Sequence, residues 1–151
     1  MGWLIPLLVL LPNLLMVRFS PAEKPEGASG VNRWLEALER LGQAGVFVIP
    51  CFYRIRIQDA IASVSLSAMT LALVGYYLGW LRYMQQGRRY ALLFAPLWGI
   101  PLPMAVMPVI YFGAAAALLR SWPLAAATVV FTIGHLAVSA HERRRIASLA
   151  R

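Results

Sequence analysis

The stretch Ala60–Arg82, AIASVSLSAMTLALVGYYLGWLR, decides the fold of this chain. It carries no charged residue between Ala60 and Leu81. At about 1.5 Å per residue, this uncharged run forms a helix of about 33 Å, which is long enough to cross the hydrocarbon core of a bilayer. We therefore interpret it as the central transmembrane helix of an integral membrane protein.

Small residues recur at helical spacing along one face of this helix, beginning at Ser65. Gly75 and Gly79 form a GxxxG step, which allows another helix to approach closely where lipid supplies no hydrophobic driving force. We expect this face to pack against another helix, in this chain, in a second copy or in a partner subunit. The predicted helix-packing residues are Ala68, Ala72, Gly75 and Gly79.

The composition also indicates a membrane protein. The chain has 151 residues, of which 60% are hydrophobic and 13% are charged, whereas soluble domains carry about 25% charged residues. Its net charge of +8 would suggest nucleic acid in a soluble protein. Here the basic residues flank apolar runs, so we expect the lipid bilayer, and no nucleic acid, as the partner. Cys51 is the single cysteine, which excludes an internal disulfide.

The hydrophobic pattern predicts a single all-α domain with five transmembrane helices, and four as the alternative. The predicted spans are residues 3–19, 38–55, 60–82, 101–119 and 122–140, followed by a basic tail over residues 141–151. A signal peptide is the competing interpretation of the first span, but Met1–Trp3 has no basic residue and Arg18 follows the run. An amphipathic interfacial segment, Arg33–Gln43, leads into the second span, whose short apolar run leaves an interfacial or re-entrant segment open.

Prolines and polar residues mark the predicted breaks between helices. Pro12 is expected to kink the first helix, and Pro101 with Pro103 to interrupt the chain before the fourth span. Residues 91–98 are expected to lie along the cytoplasmic interface. Residues 20–32 are polar and rich in proline and glycine, which predicts a loop, and Asn32 or a neighbour is placed to cap the next helix.

The distribution of basic residues predicts the orientation. With five spans and the N-terminus outside, the cytoplasmic segments hold 11 of the 14 basic residues, which is a strong positive-inside bias. This predicts a multi-pass protein of the cell inner (plasma) membrane with a cytoplasmic C-terminus; with four spans the N-terminus moves inside. The outer basic residues are Arg54, Arg56 and Arg120, and the cytoplasmic ones are Arg18, Lys24, Arg33, Arg40, Arg82, Arg88, Arg89, Arg143, Arg144, Arg145 and Arg151.

Several polar residues fall where lipid should be, and such residues usually face the interior of a bundle. On the five-span scheme they lie in the cytoplasmic half, which suggests a polar cavity that opens to the cytoplasm. The alternative is that each one hydrogen-bonds a neighbouring helix, a contact worth about 0.6 kcal/mol. The candidate ligand-binding residues are Asn13, Gln43, His135, Glu39 and Arg40.

His135 is the best candidate for proton transfer because histidine ordinarily titrates near neutral pH. His135 and His141 are six residues apart and lie on different sides of a helix, so no metal site is expected. No nucleophile motif or phosphate loop occurs, so no catalytic residue or cofactor is assigned. Six arginines are candidates for binding anionic headgroups, or serve as a topology signal alone: Arg82, Arg88, Arg89, Arg143, Arg144 and Arg145.

Three functional classes remain open. The first is a membrane protein that binds or helps transport a small molecule or lipid through the cytoplasm-facing cavity. The second is a membrane-embedded transferase or hydrolase acting on a lipid or isoprenoid, with His135 as general base and Arg40, or Arg88 with Arg89, holding an anionic headgroup. The third is an accessory subunit, or a homo-oligomer, that docks through Gly75 and Gly79.

Three motifs resemble segments of small uncharacterised multi-pass bacterial membrane proteins: LPNLL at 11–15, LERLGQAGVFVIP at 38–50 and GIPLPMAVMPVIYF at 99–112. The resemblance covers most of the chain and implies a membrane location, but it implies no activity. The chain lacks the Trp/Pro motif of the tryptophan-rich translocator proteins. Its Glu39–Arg40 pair is also not followed by the pattern of the four-helix glutathione-transferring membrane enzymes.

Overall fold

A computed structural model describes residues 1–23 and 30–149 of the chain, and its helices confirm the all-α prediction. Two short 3-10 helices, Ile49–Phe52 and Tyr90–Leu93, interrupt the connections that follow the second and third α-helices. In chain order the α-helices are α1 (Leu4–Arg18), α2 (Arg33–Val48), α3 (Ala60–Gln85), α4 (Pro103–Leu119) and α5 (Trp122–Leu149).

The ends of the helices follow from local side-chain chemistry. The Asn32 side chain accepts a hydrogen bond from the backbone N–H of Trp34 at 2.9 Å, which confirms it as the cap of α2. Asp59 caps α3 in the same way, accepting from the N–H of Ala62 at 2.8 Å. At the C-terminal end of α4, Arg120 takes a left-handed conformation with φ of 49°, which ends the helix.

Two pairs of helices form the body of the fold, α2 with α5 and α3 with α4, and α4 also contacts α5. Glycines allow α2 and α5 to approach each other closely. A Cβ atom on Gly42 would run into the backbone of Phe131, and one on Gly134 would run into the backbone of Glu39. The α2 and α5 backbones therefore lie directly against each other at these positions.

The predicted packing face of α3 contacts α4 of the same chain. A Cβ atom on Gly75 would lie 3.0 Å from the Cε atom of Met107, and Met104 lies against Gly79 in the same manner. Ala72 is buried and Ala68 is half-buried. That this face also docks a second protein stays a prediction.

Tyrosine hydroxyls attach α1 to the rest of the protein. Pro12 lies inside α1 and has no N–H to donate to the carbonyl of Leu8, four residues earlier. The hydroxyl of Tyr77 on α3 donates to that carbonyl at 2.7 Å. A second hydroxyl, from Tyr111 on α4, donates to the carbonyl of Ile5 at 3.0 Å. The carbonyl that proline leaves without a helical donor is thus satisfied by a neighbouring helix.

Consecutive helices run in opposite directions, so their connections gather at two ends. At one end the N–H of Gly2 donates to the carbonyl of Tyr53 at 3.0 Å, and Asp59 forms an ion pair with Arg120. The other end, which we call the basic end, gathers the start of α2, the ends of α1, α3 and α5, and the segment before α4. It lies on the side of most described arginines: Arg18, Arg33, Arg40, Arg82, Arg88, Arg89, Arg143, Arg144 and Arg145.

Within the described residues, α3 and α5 are the two helices long and apolar enough to cross a membrane, judged by length and composition. The apolar helices α1 and α4 are shorter, with 15 and 17 residues. Helix α5 continues to Leu149 through most of the segment predicted as a tail. Lys24 and Arg151, which entered the orientation argument, lie outside the described residues.

Candidate functional site

The side chains of Glu39 on α2 and His135 on α5 meet between the two helices. The Nδ1 atom of His135 lies 2.6 Å from the Oε1 atom of Glu39, within hydrogen-bonding distance. The residues are 96 positions apart in sequence. They meet because Gly134, the residue before His135, lets α5 approach the backbone of Glu39.

An aromatic ring fixes the orientation of the imidazole. Phe131, one helical turn before His135, stacks on it with ring centroids 4.6 Å apart and an interplanar angle of 16°. Phe131 is itself buried and meets Phe112 of α4 edge to face, with centroids 6.1 Å apart. The imidazole is therefore held between an apolar ring and a carboxylate, both supported by packed helices.

The pair remains reachable from outside the bundle. The side chains of His135 and Glu39 are 23% and 22% exposed, so a ligand or water molecule has access to them. Because Glu39 engages Nδ1, Nε2 is the ring nitrogen left for another partner.

The other three predicted ligand-binding residues lie elsewhere. The hydroxyl of Tyr76 donates to Oδ1 of Asn13 at 3.0 Å, and Nδ2 of Asn13 donates to the carbonyl of Val9 at 3.4 Å, so Asn13 joins α1 to α3. Gln43 and Arg40 are exposed on α2. The structure therefore brings Glu39 and His135 together and places Asn13 in a separate contact. That all five act on one ligand stays a prediction.

Sequence reasoning placed Glu39 among the candidate residues of a polar cavity and did not foresee its contact with His135. The signal that marks the contact is the set of glycines around these two residues. Gly42 lies three residues after Glu39, and Gly134 lies directly before His135. Single glycines on two different helices can indicate that the helices pack closely, as a GxxxG motif on one helix does.

A second polar cluster surrounds Glu142 near the end of α5. Glu142 is buried, and its Oε1 atom accepts hydrogen bonds from the hydroxyl of Tyr90 at 3.3 Å and from Nη1 of Arg145 at 3.2 Å. Burial first, and then the negative charge of Glu142, raise the pKa of Tyr90 to about 12. The cluster attaches the segment after α3 to α5, so its evident role is structural.

Of the arginines predicted to bind headgroups, three hydrogen-bond other parts of the chain. Arg82 donates from Nη1 to the carbonyl of Pro96 at 2.8 Å, and Arg143 donates from Nη1 to the carbonyl of Pro101 at 3.2 Å. These contacts, like that of Arg145 with Glu142, hold the protein together. Arg88 lies in a left-handed conformation after α3, with φ of 55°. Arg89 and Arg144 are exposed.

Comparisons with protein-family models, with curated proteins and with solved structures find no match. Among residues 1–23 and 30–149, no three histidine, cysteine, aspartate or glutamate side chains come together in a way that could hold a metal ion. The functional argument therefore starts from the Glu39–His135 pair itself.

Proposed function

We propose that this chain is a small multi-pass membrane protein that binds, or helps transport, a small molecule or lipid, and that the Glu39–His135 pair is its proton-exchanging centre. The observation that carries the proposal is the 2.6 Å contact between the imidazole and the carboxylate inside the α2–α5 helix pair. Ionisable residues within a membrane bundle are costly and usually mark substrate pathways or proton relays.

The membrane location is supported by where the apolar side chains lie. In the most apolar parts of α3 and α5, 28% of the residues are buried, whereas the core helix of a soluble protein is mostly buried. On α1, exposed leucines follow one another along the helix: Leu4, Leu7, Leu8, Leu11 and Leu14. Exposed apolar surface of this extent needs a cover, and lipid covers it from all sides.

The orientation is supported by the arginines at the basic end. Three described arginines lie toward the opposite end, against nine toward the basic end. By the positive-inside rule the basic end faces the cytoplasm. We therefore propose five crossings of the inner (plasma) membrane, with the N-terminus outside and the C-terminus in the cytoplasm, so that Glu39 and His135 lie in the cytoplasmic half.

Native mass spectrometry of the protein in mild detergent tests the proposal. The wild-type protein should retain a stoichiometric small molecule or lipid, and the retained fraction should depend on pH because the pair is proposed to exchange protons. Glu39→Gln and His135→Asn should each lower retention at least tenfold and remove the pH dependence. Gln58→Ala is the control, because Gln58 is exposed, lies just before α3 at the end opposite the basic end, and is not a candidate ligand-binding residue.

Two results would overturn this proposal. One is a wild-type protein that carries no bound molecule at any pH tested. The other is equal retention by wild type, Glu39→Gln and His135→Asn. Far-ultraviolet circular dichroism of each variant establishes that the helices remain formed, so that loss of retention is not loss of the fold.

The same geometry favours one second candidate, a membrane-embedded enzyme acting on a lipid or isoprenoid. A carboxylate on Nδ1 orients an imidazole so that Nε2 can act as general base, as in hydrolytic triads. Hydrolysis of a nitrophenyl ester of a fatty acid by the purified protein tests this. Hydrolysis above the detergent blank that His135→Asn abolishes would support the enzyme. If the wild-type protein does not hydrolyse the ester, or if His135→Asn hydrolyses it as fast as wild type, an esterase that uses His135 as general base is excluded.

A further inference from the structure

The segment 90–102, which we call the strap, crosses the basic end between α3 and α4. Two backbone hydrogen bonds, of 3.1 Å and 2.9 Å, join Leu97 and Ile100 and close a two-residue turn. Its tip residues, Trp98 and Gly99, have φ of 50° and 80°, the signs that a type I′ turn requires. The Trp98 side chain is 70% exposed, so this turn presents an indole ring to the surroundings.

Arginines from two helices hold the strap on either side of this turn. Arg82 of α3 donates to the carbonyl of Pro96, and Arg143 of α5 donates to the carbonyl of Pro101. Tyr90, at the start of the strap, donates to the buried carboxylate of α5. Because the strap is fixed at three points, the position of its turn relative to α5 is fixed as well.

A cleft of about 200 Å³ lies between the strap and α5. Its lining is apolar, including Phe94 and Ile146, except for Arg143. Arg89, directly before the strap, and Arg144, directly after Arg143, are both exposed. In residues 82–103 and 141–149 the one acidic residue is Glu142, which is buried and already hydrogen-bonded. These two segments hold six arginines and therefore carry a net positive charge. Glu23 is the acidic residue beside them, since the N–H of the preceding Ala22 donates to the carbonyl of Arg88 at 3.2 Å.

We propose that this cleft binds an anionic phospholipid of the leaflet at the basic end. Its phosphate would lie among Arg89, Arg143 and Arg144, with Trp98 at headgroup level and the first part of an acyl chain against Phe94. Tryptophan prefers this interfacial depth, and arginines near the surface attract anionic lipid. A topology signal requires positive charge at this end, but it requires neither an apolar cleft nor a fixed, exposed tryptophan. This inference rests on the proposed membrane location but not on the Glu39–His135 pair.

The test is competition between two lipids for the full chain, followed by native mass spectrometry. The protein in mixed micelles with equal amounts of phosphatidylglycerol and phosphatidylcholine should retain phosphatidylglycerol preferentially. Arg89→Gln with Arg144→Gln should weaken that retention about 25-fold, since each arginine contributes about fivefold. Arg54→Gln with Arg56→Gln is the matched control, because it removes the same charge from exposed residues at the opposite end.

The result for Trp98→Ala completes the test, and we expect it to weaken retention of phosphatidylglycerol severalfold. The proposal is overturned if wild type retains both lipids equally. It is also overturned if the two double variants lose phosphatidylglycerol to the same extent, because net charge rather than this cleft would then be responsible. The substituted side chains are exposed, and a thermal unfolding midpoint equal to that of wild type shows that the fold is intact.

Discussion

Replacing Gly134 with alanine should separate α2 from α5 and weaken the Glu39–His135 contact. A Cβ atom at this position would lie 2.6 Å from the Cα atom of Glu39, whereas ordinary contacts begin at 3.4 Å. The backbone N atom of Glu39 would be closer still, so the helices must move apart by about 1.1 Å, because a backbone cannot turn aside as a side chain can. The same displacement would lengthen the contact from 2.6 Å to about 3.7 Å, beyond the usual range of hydrogen bonds.

The expected cost of Gly134→Ala is about 1–3 kcal/mol in the free energy of unfolding, as for other overpacked interiors. Unfolding in mixed micelles by dodecyl sulfate, followed by circular dichroism, measures it. Gly113→Ala on α4 is the control, because a Cβ atom there meets nothing within 4 Å, so alanine should be neutral or stabilising by up to about 1 kcal/mol. Equal stabilities of the two variants would refute the reasoning about the α2–α5 contact.

Substitutions at three other positions test separate parts of the fold. Asp59→Ala should cost about 1 kcal/mol in thermal unfolding through loss of the α3 cap, and Asp59→Asn much less; equal costs would instead assign the effect to the exposed ion pair. The pKa of Tyr90 is raised from 10.0 to about 12, so the contribution of this hydroxyl to the free energy of unfolding is complete below pH 10 and is lost as the pH rises toward 12. Tyr90→Phe should therefore flatten the decline of stability in alkaline unfolding curves. An unchanged decline would argue against this role of Tyr90. Tyr77→Phe should lower the free energy of unfolding in dodecyl sulfate by about 1–3 kcal/mol, because it leaves the Leu8 carbonyl without a hydrogen bond. An unchanged free energy of unfolding would contradict this role of the Tyr77 hydroxyl.

Much of the helical framework could be predicted from short stretches of sequence. The uncharged run that begins at Ala60 forms the 26-residue helix α3, and Asn32 caps α2. The lengths of other helices depend on details that hydrophobicity does not report. Helix α2 ends at Val48, and Pro50 lies in a 3-10 turn, because its ring cannot continue the hydrogen-bonding pattern.

The candidate site was harder to foresee than the fold. Asn13 and His135 are both predicted in the cytoplasmic half, but depth in the membrane does not specify which helices are neighbours. The partner of His135 depends on the register between α2 and α5, which contacts such as that of Gly134 with Glu39 determine. Glycines also occur on α3, where they lie beside methionine side chains. Sequence spacing therefore indicates close packing but not the partner.

The methionines beside those α3 glycines give the contact between α3 and α4 a chemical vulnerability. Met104 and Met107 occupy the space that Gly79 and Gly75 leave open. Oxidation of a thioether to the sulfoxide adds a polar oxygen to a side chain that was apolar and flexible. In this protein that oxygen would enter a contact with room for little more than the sulfur itself. Mild oxidants should therefore loosen α3 from α4, and methionine sulfoxide reductase should restore the contact.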